Sequence, residues 1–257
     1  MLADITIWLN HFENHATHPR SLPLDTDDSL AHAERSLIAA SIATFQLGES
    51  SSGRHLLTRA QAAGPGPVVR VVELLIAEER RHAELLGQFM DAHAIARRHR
   101  HWTDAIFRTL RRLGGLQVAV SVLLTAELVG IVYYRALECA TGCARLRVLA
   151  RMLVADELVH VAFEAELLRA LWARHPALTR AAHAWQRLLL GATALVVWAT
   201  HRRVLRAAGH SVRTFLRACA EQYTFQLGRP LPRPARTHGL APGPRRRGPA
   251  PLSTHAH

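Results

Sequence analysis

Three residues recur in this chain at one fixed offset, each inside a long apolar run. Glu49, Glu79 and His82 have counterparts at Glu127, Glu157 and His160, each 78 positions further on (49 to 127, 79 to 157, 82 to 160). Each half therefore carries a lone Glu and, 30 positions later, a Glu-x-x-His. An unpaired carboxylate on a core-facing position costs about several kcal/mol, or takes up a proton instead. A fold that accepts this sequence must bring four such acids to places where something balances them.

The runs that carry them read as helices. Ala, Leu, Val and Arg dominate the chain, aromatics are 6% of it, and no segment alternates as a strand would. Residues 1–25 read as irregular. Asp27, Asp28 and Ser29 can cap a helix starting near Leu30, which then runs to about Ala63 and stops at Gly64-Pro65-Gly66-Pro67. Further helices are predicted over about 68–101, 102–140 (with a break or bend at Gly114-Gly115), 142–175, 178–208 and 211–227. Short connections make the first two helices an antiparallel pair, and likewise the next two.

Within each pair the acids come to one height. Glu49 lies 15 residues before Gly64, and Glu79 lies 12 after Pro67. At about 1.5 Å per residue these are roughly 22 and 18 Å from the turn. Glu127 and Glu157 stand 14 residues before Thr141 and 15 after Gly142. The faces agree as well. Ile38, Ile42, Phe45 and Leu56 share a stripe with Glu49. Val72, Leu75, Leu86 and Phe89 do so with Glu79 and His82. Leu123, Leu124, Ile131 and Tyr134 accompany Glu127; Leu153, Val154, Val161 and Phe163 accompany Glu157 and His160. Residues three apart share a face, so each Glu-x-x-His aims both side chains at one spot.

Four carboxylates on inward faces at one level require protons or cations. Two divalent metal ions balance them, and a carboxylate–imidazole set suits iron or manganese. One Glu on an apolar stripe is ordinarily a boundary residue, and one Glu-x-x-His arises by chance in a helical chain. The duplication at equal spacing is what departs from chance. The alternative is a bundle that kept the residues without the metal.

Composition adds limits. The net charge is +12, yet the chain has no Lys, and six Arg fall after Gly228. A phosphate-binding surface is therefore not indicated, and nucleic acid is not an expected partner. Residues 1–228 read as the helical domain and 229–257 as a disordered Arg/Pro/Gly-rich tail. Cys139 and Cys143 read as a structural thiol pair, not part of a disulfide framework. No signal peptide is evident, so a cytoplasmic setting is expected. Leu188–Thr200 is too short to span a membrane, and Val118–Leu137 has Glu127 at its centre, so no membrane partner is expected.

The set Glu49, Glu79, His82, Glu127, Glu157 and His160 resembles the ferritin-like di-iron carboxylate superfamily. There, one Glu from each of two helices joins a Glu-x-x-His from each of two others. The resemblance covers about residues 28–170. It implies an all-α, ferritin-like antiparallel four-helix bundle with two additional C-terminal helices. It further implies two Fe ions, or a mixed Mn/Fe pair, held by those six residues, which would also be the catalytic ones. Acids just before the motif Glu often bond a ligand His in this superfamily; Glu78 and Asp156 stand there, or else are solvated charges. Rubrerythrin-type Cys-x-x-Cys pairs are missing, and the helices after residue 178 do not suit a storage ferritin. The bundle oxygenases match the length better, although Leu153 replaces the third His of the N-oxygenases. The expected function is O2 activation to oxidise a small organic substrate, with electrons from an external donor and room for a homodimer. An iron-handling ferroxidase and a non-enzymatic interaction bundle are the alternatives. Tyr134 shares the ligand face, as a core tyrosine or as a carboxylate's partner. The remaining histidines read as surface residues.

Overall fold

The structure, a computed structural model, describes residues 4–22, 28–64, 66–102, 109–110 and 114–228. The predicted tail, 229–257, lies outside the described residues, as does Asp27. The described residues are all-helical, with no strand among them. The elements are α1 (Ile5–Thr17), α2 (His32–Glu49), α3 (Arg54–Ala62), α4 (Pro67–Ala92), α5 (Leu116–Ala140), α6 (Ala144–Trp172), α7 (Thr179–Ala207) and α8 (Val212–Leu227). A single 3-10 turn, Pro176–Leu178, leads into α7.

The helices pack as a bundle. α2 packs on α4 although α3 now stands between them in the chain, α5 packs on α6 across the short Thr141-Gly142-Cys143 connection, and α4 lies against α6. α5 is the hub, touching α3, α6, α7 and α8. Its all-round apolar sequence is thereby used: Leu124, Leu128, Ile131, Tyr133, Tyr134 and Leu137 are all fully enclosed. α5 and residues 176–207 are each long and apolar enough to cross a membrane by length and composition, but α5 is mostly buried inside the bundle. Leu188–Thr200, too short by itself to span a membrane, lies within the longer apolar helix α7, which matches the helix expected over 178–208.

Three expectations are corrected. Residues 1–25 are not irregular throughout: Ile5, Trp8, Leu9 and Phe12 form an i, i+3, i+4, i+7 stripe, and α1 packs that stripe on α4, burying Trp8 and Phe12. The helix expected over 30–63 is two helices, because Ser50-Ser51-Ser52-Gly53 interrupts it directly after Glu49. Leu56 is therefore buried from α3, not from the helix that carries Glu49. The start of α2 also differs from the expected capped helix near Leu30. α2 starts after Ala31 with no side-chain cap, and Asp28 instead pairs with His93 at 2.9 Å and with Arg145 at 3.5 Å. The break at Gly114-Gly115 is real, since α5 begins at Leu116.

Gly53 makes the α2–α3 interruption possible. Its φ is +62°, and a Cβ there would stand 2.5 Å from Ile76 Cγ1. Both the left-handed backbone and the close approach demand glycine. We predict that Gly53→Ala destabilises the fold by about 1–3 kcal/mol, from backbone strain and overpacking combined. Urea denaturation measures this; an unchanged midpoint would contradict it.

Candidate metal centre

The six predicted residues converge from four helices. Glu49 is the last residue of α2. Glu79 and His82 lie on α4, Glu127 on α5, and Glu157 and His160 on α6. They form two groups, Glu49–Glu79–His82–Glu157 and Glu79–Glu127–Glu157–His160, in each of which the ligand atoms lie within 4.8 Å of one another. Glu79 and Glu157 belong to both groups. The stripes that accompany them, including Ile42, Leu75, Leu124 and Leu153, are buried around the cluster.

Both imidazoles present the same nitrogen to the carboxylates. His82 Nδ1 lies 3.7 Å from Glu79 Oε1 and 3.4 Å from Glu157 Oε1. His160 Nδ1 lies 3.0 Å from Glu79 Oε1 and 3.6 Å from Glu157 Oε2. The Nε2 atoms face outward to the acids that precede the motifs, but crosswise. His82 Nε2 bonds Asp156 Oδ2 at 3.2 Å, and His160 Nε2 lies 3.4 Å from Glu78 Oε2. Each acid thus serves the imidazole of the other half. Such partners orient the ring and raise its basicity.

Two further residues, which the sequence did not single out, complete this outer layer. His15 on α1 sits 2.6 Å from Glu78 and 3.7 Å from Asp156, and Arg20, just beyond α1, pairs with Asp156. Phe12 stacks on the His160 ring at 5.8 Å. The α1 segment thus covers the imidazole side of the cluster. Its apolar stripe was the signal available. Glu164 was also missed; it follows His160 by four positions on the same stripe, is 2% exposed, and leaves both oxygens unpartnered. Tyr134 takes the carboxylate-partner role: its hydroxyl donates to Glu49 Oε1.

Burial and mutual charge dominate the electrostatics of the cluster. Burial, then Glu79 and Glu157, push the Glu49 carboxyl well above its ordinary range. Burial, then Glu164 and Glu157, do the same to Glu127. Burial also holds Glu164 high, despite a contact with Glu127 that acts the other way. Burial opposes ionisation of Glu157 as well, but the His160 and His82 imidazoles outweigh it and bring its carboxyl to about 2. Burial would lower His160, yet its contacts with Glu157, Glu78 and Glu79 carry it well above the imidazole range. Glu79 Oε1, Glu157 Oε2, both Glu127 oxygens and the Nδ1 atoms of His82 and His160 have no hydrogen-bond partner. Carboxylate oxygens left unpartnered beside one another need protons or a Lewis acid, and a carboxylate–imidazole set of this kind fits a metal pair.

A cavity of about 160 Å³ opens against this cluster. Glu49, Glu79, Glu127 and Glu157 form one wall, and apolar residues of α2, α3, α4, α5 and α7 form most of the rest. His201 on α7 lines the cavity and is 4% exposed, so its expected surface placement is overturned, as is that of His15. Another acid–imidazole–thiol group, Asp28–His93–Cys143, is already committed: Asp28 pairs with His93 and Arg145, and burial pushes the thiol up.

Comparison with models of known protein families, with curated proteins and with solved structures returns no match.

The carboxyl shifts set the pH response of the metal-free fold. Glu49, Glu127 and Glu164 have folded values raised above their ordinary 4.5. Their stabilisation is complete below that value and is lost as pH rises through the folded one. His160, raised well above 6.5, acts in the same direction, and the lowered His201, His11 and His183 act against it, so the three carboxyls and His160 must outweigh them. Metal-free protein is therefore predicted to melt lower at about pH 8.5 than at about pH 5.5. Loading with Mn(II) reverses the trend, because metal binding needs the deprotonated ligands. Glu127→Gln should raise the melting temperature of the metal-free protein at the higher pH while weakening metal binding. Scanning calorimetry of the two forms checks both; a metal-free melting temperature that rises with pH would contradict the account.

Proposed function

We propose that this chain is a ferritin-like di-iron carboxylate protein that activates O2 to oxidise a small organic molecule. In this reading α2, α4, α5 and α6 are the four-helix core, and α7 and α8 are the appended pair. The observation that carries it is the pair of four-residue groups sharing Glu79 and Glu157 at the wall of an apolar cavity.

Glu49 and His82 would complete one ion's ligands, and Glu127 and His160 the other's. Two divalent ions would neutralise the four carboxylates and displace the protons that the buried acids otherwise hold. Reduced iron held there, alone or paired with manganese, would supply the electrons that O2 activation needs.

The chain's own residues supply the rest. Asp156 and Glu78 keep the imidazole Nδ1 atoms directed at the carboxylates, and His15 and Arg20 hold those acids in turn. Tyr134 fixes one Glu49 oxygen with its hydroxyl proton, leaving the other oxygen for a metal ion. The apolar walls exclude water from the face where a substrate would meet the metal-facing carboxylates. The helices carry no flavin or iron–sulfur motif, so electrons would come from a separate donor.

The shared residues make a graded prediction. Anaerobically loaded protein should hold two Fe(II) per chain. Glu79→Ala and Glu157→Ala should each lose both ions. Glu49→Ala and Glu127→Ala should each keep one. Metal analysis after desalting reads the result; two ions in all four variants would show the assignment to be wrong. Exposure to air should oxidise no more than the bound iron. Sustained oxidation of excess Fe(II) would point to iron handling in place of an organic substrate.

A further inference from the structure

A buried hydrogen-bond relay ends at His201 in the cavity lining, and its direction can be deduced. Tyr133 is fully buried, and burial keeps its phenol protonated well beyond the ordinary range. Its hydroxyl lies 2.8 Å from Ser41 Oγ. Ser41 Oγ lies in turn 2.8 Å from His201 Nδ1. Phe45 stacks flat on Tyr133 at 3.5 Å and stands 5.0 Å from the His201 ring, fixing both in place.

Only one proton order gives both the Tyr133 and the Ser41 hydroxyl protons an acceptor. A buried phenol proton without an acceptor costs about 1–3 kcal/mol. Tyr133 has no acceptor other than Ser41 among the described residues, so Tyr133 donates to Ser41 Oγ. Ser41 has one proton and must pass it to His201 Nδ1. His201 is uncharged near neutral pH, because burial, then His101 and Arg98, lower it to about 3. A neutral imidazole whose Nδ1 accepts carries its proton on Nε2. Nε2 has no partner among the described residues, and His201 lines the cavity.

Other polar groups there are partly spent. Thr44 and Thr200 donate their hydroxyl protons to the carbonyls of Ala40 and Val196. Thr193 adds a further hydroxyl to the lining, about 12 Å along α7 from His201. The remaining surface is mainly apolar, with Leu56, Leu75, Ile76 and Val122 among its walls. An apolar cavity of about this size accepts a benzene-sized molecule. A charged ligand would be desolvated there without a countercharge once the carboxylates are balanced.

We propose that this cavity binds an uncharged, phenyl-sized molecule bearing one hydrogen-bond acceptor, a carbonyl-type oxygen, held by the His201 Nε2–H. The site deepens the oxidase reading by naming its substrate class: an aryl or short alkyl carbonyl compound, anchored by its oxygen at α7 with its carbon frame directed toward the carboxylate wall.

Titration calorimetry with an isosteric pair tests this. Acetophenone carries the acceptor; α-methylstyrene has the same shape without it. Wild-type protein should bind acetophenone about tenfold tighter, the worth of one hydrogen bond. His201→Phe should erase that preference while α-methylstyrene affinity stays within about threefold of wild type. Tyr133→Phe releases the proton order and should shrink the preference without abolishing hydrocarbon binding, which a merely structural role for Tyr133 would not produce. Equal binding of the two probes, no binding of either, or a preference that survives in His201→Phe would overturn the proposal. The titrations are run on metal-free and Mn(II)-loaded protein. An intact acetophenone preference in protein that binds no metal would sink the di-iron reading and leave this site standing.

Discussion

Buried negative charge is the constraint on which the structure depends. Glu127, Glu157, Glu164 and Asp156 are all nearly inaccessible, and Glu49 and Glu79 join them around one small volume. A core cannot hold so many carboxylates as free anions. The protein meets this partly by protonation and partly by the imidazoles of His82 and His160, which stabilise the Glu157 anion. Metal-free, the site is a store of protons and unpartnered acceptors. Such a concentration of unsatisfied polar atoms departs from the rest of the helical core, and departures of this kind collect where a protein binds something.

The surrounding layers follow from that constraint. The two imidazoles can direct Nδ1 inward only because Asp156 and Glu78 take their outer nitrogens, and those acids need their own partners, His15 and Arg20. Charge thus alternates outward, from carboxylate to imidazole to carboxylate to cation. The opposite side of the cluster is built differently. There the α2–α3 break after Glu49 and the α7 helix leave an apolar space whose few polar atoms belong to a buried relay. One side of the centre is occupied by the protein itself, and the other is open to a small molecule.

Much of this was legible in the sequence, because it rests on periodicity. The 78-residue offset, the apolar stripes and the short connections were enough to place Glu49, Glu79, His82, Glu127, Glu157 and His160 together on an all-helical frame. What escaped depended on contacts between distant elements. The stripe Ile5–Trp8–Leu9–Phe12 was readable as a helix, but its docking on α4, which carries His15 to Glu78, was not encoded locally. Asp28 looked like a helix cap because caps are local; it serves a distant histidine. The Ser50–Gly53 interruption was visible as composition but was overridden by the apolar repeat on either side. His201 gave no signal, since its meaning lies in Ser41 and Tyr133, 160 and 68 positions away in the chain.

The central claim is that Glu79 and Glu157 are shared by two ions held side by side. Electron paramagnetic resonance of the protein titrated with Mn(II) tests it directly. The account predicts that, as the second equivalent is added, the signal of isolated Mn(II) gives way to the closely spaced hyperfine lines of an exchange-coupled pair. Persistence of the isolated-ion pattern up to two equivalents would contradict it.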